Sequence, residues 1–334
     1  MTKVTAGIAM GLALSAASCA SLAASERFEP GPRAILLPAG EGDHVLFDAG
    51  RIVKTKGGEE EWSEPANSAE EQPSAAGFDL DAGWACVGYS DRLAFVQLGG
   101  KRIRWCDPPG PGPHRSIAVR GELVAVNSGR EVSVLEVPSG ERVEGFDAGR
   151  WLKQFAQDEV DYAEPVSDTD LVLITSRDVG ALTDGRVLAI RTQRAPNGWL
   201  LAGENHLRAL TWADQCVSKG DDLFVAGVWE ETRLRSGRAP ELFQSLVVLA
   251  LDVETLQVRE LVRAEHATPT IVVGVAVGVD ELAVLLAPGE VRVYSLAQGS
   301  LLRRQVFPRA DSVAWIGAGR WLVRAGDSST LLTH

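Results

Sequence analysis

Cysteine and positive charge are both scarce in this sequence. With 4 Cys among 334 residues, the chain is not a disulfide-dense scaffold. Lys and Arg number 33 against 45 Asp and Glu, giving a formal net charge of -12. That balance argues against a nucleic-acid binder, which needs a surplus of basic residues on one face. Since 45% of the residues are hydrophobic, the composition predicts one large globular domain or two small ones.

Long apolar runs are also missing from most of the chain. Beyond the amino terminus, the longest run extends from Ala267 to Val279 and contains Pro269. It is shorter than the roughly 20 apolar residues that a membrane-spanning helix needs. A run of this length is typical of a buried strand.

The amino terminus has the layout of a secretory signal, with a basic residue, an uncharged apolar core and a series of small residues. Two ways of processing remain open. Cleavage of residues 1–24 would release a soluble domain of residues 25–334. Alternatively, residues 1–18 are removed, and Cys19 becomes the lipidated first residue of a lipoprotein. Both alternatives predict an exported protein, located in the periplasm or, as a lipoprotein, at the outer membrane.

A repeated unit organises the rest of the chain: an apolar strand, a tight turn, a second apolar strand, another turn and a charged strand. The two clearest copies run from Arg115 to Phe146 and from Ile271 to Phe307, in a common register over about 35 residues. Their last turns also align, since Gly140 corresponds to Gly299. Weaker copies at a spacing of about 40 to 45 residues predict roughly seven units.

The chemistry of the strands favours a β-propeller. The second strand of each unit is almost continuously apolar, as in LVAV and LAVLL, which predicts burial on both faces. The last strand carries charge, which discourages pairing between exposed sheet edges. Helical patterning is weak, and residues 150–161 are predicted to form a strand or a turn.

One phrase carries a resemblance to known repeats: LAVLLAPGEVRVYSLAQGSLLR, from Leu282 to Arg303. It resembles the repeats of PQQ-like, YVTN and WD-repeat β-propellers, over about residues 33 to 334, although no Trp-Asp pair ends a strand. The resemblance implies an all-β fold, a single propeller with seven blades of four antiparallel strands. This fold hosts many unrelated functions.

No catalytic, cofactor-binding or metal-binding residue is predicted. The five His are scattered without the paired spacing of a metal site. Ser90 lacks the G-x-S-x-G frame of a nucleophile elbow. Cys86 and Cys106 are assigned to the first and third strands of one blade, about 9.5 Å apart. A disulfide needs Cα atoms about 5.5 to 6 Å apart, so this spacing disfavours a bond without excluding it.

Two acidic segments, residues 57–72 and 158–170, each carry six acidic residues and no basic residue, and together they account for the whole net charge. Both are predicted to be loops, and the simpler interpretation is that they are solvated loops that keep the protein soluble. The alternative is that they bind a basic partner or a divalent cation, with Trp62 as an exposed anchor for a partner. The candidate partner-binding residues are Glu59, Glu60, Glu61, Trp62, Glu64, Asp158, Glu159 and Asp161.

The sequence therefore favours an exported, non-enzymatic propeller that acts as a protein-interaction scaffold in the bacterial cell envelope. We expect envelope proteins as partners, no nucleic acid, no cofactor, and membrane contact only through a lipid on Cys19. The alternative is a periplasmic enzyme or small-ligand binder with its site at the central channel. Charged side chains clustered at one mouth of the channel would favour the alternative. An apolar channel with an exposed Trp62 loop would favour the scaffold.

Overall fold

The computed structural model describes residues 35–40, 43–47, 51–56, 59–65, 73–110, 113–167, 169–177, 187–196, 198–233, 241–266, 270–317, 319–326 and 328–333. The predicted signal segment, including Cys19, lies outside these residues, as does part of each acidic segment. Within the described ranges, no helix has the length and apolar character to cross a membrane.

The strands form seven antiparallel sheets, and consecutive strands are neighbours within each sheet. Six sheets have four strands, and the seventh has three among the described residues. The first strands of neighbouring sheets contact one another, and the first strand of the chain contacts the first strand of the last sheet. The sheets therefore close into a ring, which confirms the predicted all-β propeller with seven blades.

Blades 1 to 4 contain the first sixteen strands. Their bounds are β1 Ile35–Gly40, β2 Asp43–Phe47, β3 Arg51–Lys56, β4 Glu59–Pro65, β5 Ala75–Asp79, β6 Trp84–Gly88, β7 Leu93–Gln97, β8 Ile103–Cys106, β9 Ser116–Arg120, β10 Leu123–Asn127, β11 Glu131–Glu136, β12 Arg142–Asp147, β13 Glu159–Pro165, β14 Asp170–Ser176, β15 Val187–Ala195 and β16 Gly198–His206.

Blades 5 to 7 contain the remaining strands. Their bounds are β17 Trp212–Lys219, β18 Asp222–Arg233, β19 Glu241–Asp252, β20 Val258–His266, β21 Val272–Val277, β22 Glu281–Leu286, β23 Glu290–Ser295, β24 Leu301–Val306, β25 Ala310–Trp315, β26 Trp321–Ala325 and β27 Ser328–Leu332.

Burial follows the predicted pattern of apolar and charged strands. The second strand of blade 4, β14, is buried at every position, and β22 is buried at all but its first. The outermost strand β24 has no fully buried residue. The blades are thus held together by apolar second strands packed between neighbouring blades, as the repeat predicted.

The last turn of the repeat also has the same geometry in both clear copies. Gly140 and Gly299 adopt φ angles of +71° and +66°, a region that glycine tolerates best. Each donates its N–H to a carbonyl four residues earlier at 2.8 Å, Glu136 and Ser295 respectively. A Cβ on Gly299 would lie 1.8 Å from the carbonyl oxygen of Leu261, so the turn has no room for a side chain.

Two local predictions are wrong. Between β12 and β13 the chain forms a helix, α1 Gly149–Phe155, that buries Trp151 and Leu152, where a strand or turn was predicted. Cys86 lies on β6 and Cys106 on β8, the second and fourth strands of blade 2 rather than the first and third. Both are free thiols, because β7 separates their strands.

Candidate functional site

The seven innermost strands, the first of each blade, surround a central channel. We call the side where these strands begin the start face and the side where they finish the end face. A cavity of about 530 Å³ opens at the start face and is lined by all seven innermost strands. A second pocket, of about 550 Å³, lies at the end face on blades 1, 2, 6 and 7. These two openings are the concave surfaces on which a site could be built.

Irregular pairing recurs in the innermost strands of blades 4 to 7. Near the beginning of each of these strands, its register with the second strand shifts, and one residue of the innermost strand has no paired residue opposite it. Such bulges redirect a side chain and often lie next to functional sites. The bulged residues are Asp161 in β13, Asp214 in β17, Val273 in β21 and Asp311 in β25, all of which line the channel.

The charged groups of the channel contact other groups of the protein. A carboxylate oxygen of Asp214 accepts the N–H of Val272 in the next blade at 3.1 Å. A carboxylate oxygen of Asp311 lies 3.4 Å from the guanidinium of the buried Arg324. These contacts hold the bulges in place. The described residues contain no group of three or more His, Cys, Asp or Glu that could hold a metal ion.

One thiol also lines the channel. Burial raises the pKa of Cys216, and the carboxylates of Asp161, Glu164 and Asp214 raise it further, because negative charges disfavour a thiolate. Cys216 is therefore protonated at neutral pH and is a poor nucleophile.

The end-face pocket is mostly apolar. Leu80 is 38% exposed and Val279 is 62% exposed. Trp315, which is half-buried, also lines the pocket. The other lining residues are Ala39, Gly40, Gly83, Leu98, Gly99 and Gly317. Each exposed apolar residue is followed in sequence by an exposed carboxylate, Asp81 and Asp280. The pocket is therefore an apolar depression with acidic groups beside it.

A polar network occupies the end face on blades 3 to 5. The guanidinium of Arg120, at the end of β9, donates to a carboxylate oxygen of Asp221 at 2.7 Å. Beneath it lies Glu164 of β13, which is fully buried. Its Oε2 accepts the hydroxyl of Tyr162 at 2.8 Å. Burial raises the pKa of Glu164 to about 7, against the opposing effects of the Tyr162 and Ser218 hydroxyls and of Arg120.

The first acidic segment is a strand where the structure describes it. The predicted loop residues Glu59, Glu60, Glu61, Trp62 and Glu64 lie on β4, the outermost strand of blade 1. Glu60 and Glu61 form salt bridges of 3.0 Å with basic residues of β3. Trp62 is half-buried, and its indole N–H donates to the carbonyl of Gly100 at 3.1 Å. The prediction of an exposed Trp62 loop is therefore wrong, because the segment pairs with β3 as the outermost strand of blade 1 and the indole is held by blade 2.

The second acidic segment is also not a continuous loop. Asp158 is exposed just before β13, whereas Glu159 and Asp161 lie on that innermost strand. Glu159 forms a salt bridge of 2.5 Å with Arg115. The two acidic segments are not brought together into one site, and their binding to a partner stays a prediction. Sequence reasoning missed Arg120 and Glu164, for which the only signal was a charged residue at the end of an apolar strand.

The comparisons with known proteins agree with this architecture. No protein-family model and no curated protein matches the chain. Among solved structures, the β-propeller domain of Myceliophteria thermophila Cps50 (Swd1) has a TM-score of 0.59 at 11% identity, covering 91% of this chain and 98% of that one. The WD40 β-propeller domain of Doa1 has a TM-score of 0.56 at 12% identity, covering 90% and 93%. BamB from Moraxella catarrhalis has a TM-score of 0.52 at 13% identity, covering 90% and 95%.

At these identities the likeness establishes the fold alone. The protein is a seven-bladed β-propeller that is similar to WD40 and related propeller structures.

Proposed function

We propose that this protein is a non-enzymatic scaffold propeller of the bacterial cell envelope that docks another protein at its end-face pocket. The observation that carries the proposal is the exposure of Val279, 62%, beside Leu80 at the mouth of an apolar pocket of about 550 Å³. Apolar side chains exposed around a depression commonly mark an interaction site. Protein interfaces concentrate their binding energy where one apolar or aromatic anchor fills such a pocket.

The chemistry around the pocket defines the partner. An apolar side chain would enter between Leu80 and Val279, and the exposed carboxylates of Asp81 and Asp280 lie next to these residues in sequence. The whole chain has a net charge of -12. We therefore propose a partner that presents its apolar anchor on a basic loop, because opposite charge at the rim speeds and orients association.

A matched pair of variants tests this docking site. Val279→Asp places a charge at the pocket mouth, and Val306→Asp places the same charge on the outer strand β24, where the valine is 61% exposed. Each variant is used as bait for envelope proteins, and the captured proteins are quantified against those captured by the unmodified protein. A basic protein that is lost with Val279→Asp and kept with Val306→Asp supports the proposal. If both variants capture the same proteins in the same amounts, the pocket is not the docking site.

Export is the second part of the proposal, and it is supported by the signal-like sequence of the first 24 residues. The intact mass of the protein purified from its native envelope tests it. A chain that begins at a diacylated or triacylated Cys19 identifies an outer-membrane lipoprotein, and one that begins near residue 25 identifies a soluble periplasmic protein. A full-length chain that still starts at Met1 would contradict export.

A second candidate function is small-ligand binding in the channel. The observation that favours it is the set of bulged aspartates, Asp161, Asp214 and Asp311, around a cavity of about 530 Å³. This is the cluster of charged side chains at one mouth of the channel that the sequence analysis associates with ligand binding. They suit a cationic ligand such as a polyamine. We prefer protein docking because Asp214 and Asp311 already contact groups of the protein. If spermidine raises the melting temperature more than sodium chloride of equal ionic strength, and Asp214→Asn abolishes that rise, this second function gains support.

A further inference from the structure

The polar network on the end face connects three blades through one side chain. Arg120 belongs to blade 3, Asp221 follows the innermost strand of blade 5, and Glu164 belongs to blade 4 between them. Arg120 therefore reaches past the end of blade 4 to form its 2.7 Å hydrogen bond with Asp221. Glu164 lies beneath this bridge.

The contact between Arg120 and Glu164 is incomplete. Their nearest oxygen and nitrogen, Oε1 of Glu164 and Nη1 of Arg120, are 4.0 Å apart. Both atoms are buried, and neither has a hydrogen-bond partner within the part of the chain that the structure describes. A buried carboxylate that is ionised needs its hydrogen bonds satisfied, whereas a protonated one tolerates this gap far better. At this spacing Oε1 lacks the direct hydrogen bond that an ionised Glu164 would form with Arg120.

Ionisation of Glu164 would make Arg120 pair with Glu164 in preference to Asp221. The side chain of Asp221 is 71% exposed, so solvent screens its attraction for the guanidinium. A negative charge on Glu164 would act in a fully buried environment, where the same attraction is several times stronger. The titratable and polar groups that face Glu164 are Tyr162, Ser218, Arg120, Asp79 and Cys216, together with Asp221 across the bridge.

The turn that carries Asp221 also supports the end-face pocket. Lys219, two residues earlier, donates its ammonium group to the carbonyls of Gly278 and Val279, each at 2.6 Å. Gly278 lies against Trp315, since an added Cβ would be 2.8 Å from Cδ1 of the indole. The β17–β18 turn thus connects the Arg120 bridge on one side with the pocket residues Val279 and Trp315 on the other.

From these contacts we infer that Glu164, Arg120 and Asp221 form a proton-controlled latch on the end face. With Glu164 protonated, Arg120 holds Asp221 and fixes the β17–β18 turn. When Glu164 releases its proton to solvent, Nη1 of Arg120 closes the 4.0 Å gap to Glu164. This movement draws Nη2 away from Asp221 and loosens the turn, in which the Asp221 carbonyl still accepts the N–H of Val253. The raised pKa of Glu164, about 7, places this exchange near neutral pH. The latch itself does not depend on the proposed docking function. Only its role, control of access to the pocket beside Val279, rests on that function.

Hydrogen exchange of the intact protein tests the latch without any partner. Protection of the amides of residues 219–223, corrected for intrinsic exchange rates, is measured from about pH 6 to about pH 8, on either side of the raised pKa. We expect protection to fall about threefold to fivefold over this range, the change that loss of one solvent-screened charged hydrogen bond brings. Glu164→Gln, which cannot ionise, should keep its protection throughout. Glu122→Gln, at an exposed glutamate two residues after Arg120, should behave like the unmodified protein.

A second variant keeps the test decisive if Glu164→Gln does not fold. Asp221→Asn weakens the bridge without changing Glu164, so the turn should have low protection at both ends of the pH range. The latch is refuted if protection of the unmodified turn does not change with pH, if Glu164→Gln shows the same fall, or if Asp221→Asn leaves protection unchanged. Because none of these outcomes depends on a partner, failure of the docking proposal would be seen separately in the Val279→Asp experiment.

Discussion

The buried carboxyl of Glu164 makes a quantitative prediction about stability. Its pKa rises from 4.5 to about 7 in the folded protein, chiefly because burial penalises the charged form. The folded protein therefore binds this proton more tightly than the unfolded chain. As the pH rises from about 4.5 to about 7, the unfolded chain loses the proton first, and the folded state loses stability relative to it. One pKa unit corresponds to about 1.4 kcal/mol, so the full effect is about 3 kcal/mol.

Glu164→Gln isolates this contribution. The glutamine has nearly the same shape and does not titrate, so all other groups contribute equally to both proteins. We expect the free energy of unfolding of the variant, minus that of the unmodified protein, to increase by about 3 kcal/mol from about pH 4 to about pH 8. Urea unfolding at several pH values measures this difference, and Glu122→Gln, at an exposed site, serves as the control. A difference that stays constant with pH would refute the reasoning, because Glu164 would then ionise alike in the folded and unfolded states.

The remaining predictions concern packing and thiol chemistry. Gly77→Ala should destabilise the protein by about 1–3 kcal/mol in urea unfolding, because its Cβ would lie 2.4 Å from the carbonyl oxygen of Ile117 in the next blade and overpack the contact. Gly99→Ala, with no atom of the described residues within 4 Å of its Cβ, should change stability by no more than about 0.5 kcal/mol, and equal effects of the two would contradict a tight contact between blades 2 and 3. Cys86, Cys106 and Cys216 should each take up iodoacetamide in denaturant without reductant, and a pair that reacts only after reduction would contradict their free state.

The blades could be predicted from the sequence because their signal is local. An apolar second strand, a glycine turn and a charged fourth strand each occupy a few consecutive residues, and the copies at Arg115 to Phe146 and Ile271 to Phe307 repeat them in order. The structure places four strands on each of these segments, β9 to β12 and β21 to β24. The number of blades follows from the spacing of the repeat, since each blade is one supersecondary unit.

Helix α1 could not be predicted from its sequence. It has 7 residues, and it has neither a capping side chain at its N-cap residue Ala148 nor an acidic residue in its first turn. Its local start signal is Asp147, whose carboxylate accepts the N–H of Gly149 at 2.8 Å, and one such residue is too common to mark a helix start. Its stability comes from burial of Trp151 and Leu152 against blades 3 and 4. Tertiary packing of this kind is absent from a single-sequence pattern.

The end-face site was missed for a related reason. Leu80 and Val279 are about two hundred residues apart in sequence, and they line the same pocket because the ring closes between blades 7 and 1. Arg120 and Asp221 meet because strands from blades 3 and 5 finish on the same face. Neither pair has a sequence spacing that a motif search would recognise. The two residues of each pair lie on the same face because the innermost strands all run in the same direction and end there.

The same principle changes how the net charge of -12 is interpreted. Counting along the chain assigned it to two acidic segments, as if each were an uncompensated surface. In the folded protein Glu61 of the first segment pairs with the buried Lys54 of the neighbouring strand, and Glu159 of the second pairs with Arg115 of the neighbouring blade. Antiparallel pairing and blade contacts thus supply positive charge from outside each segment. Where these pairs form, the segments attract a basic partner less than their composition suggests. The same test applies at the end-face pocket, where the exposed Asp280 follows Val279, whose carbonyl accepts the ammonium group of Lys219, whereas Asp81 is exposed on the opposite side of the pocket mouth beside Leu80.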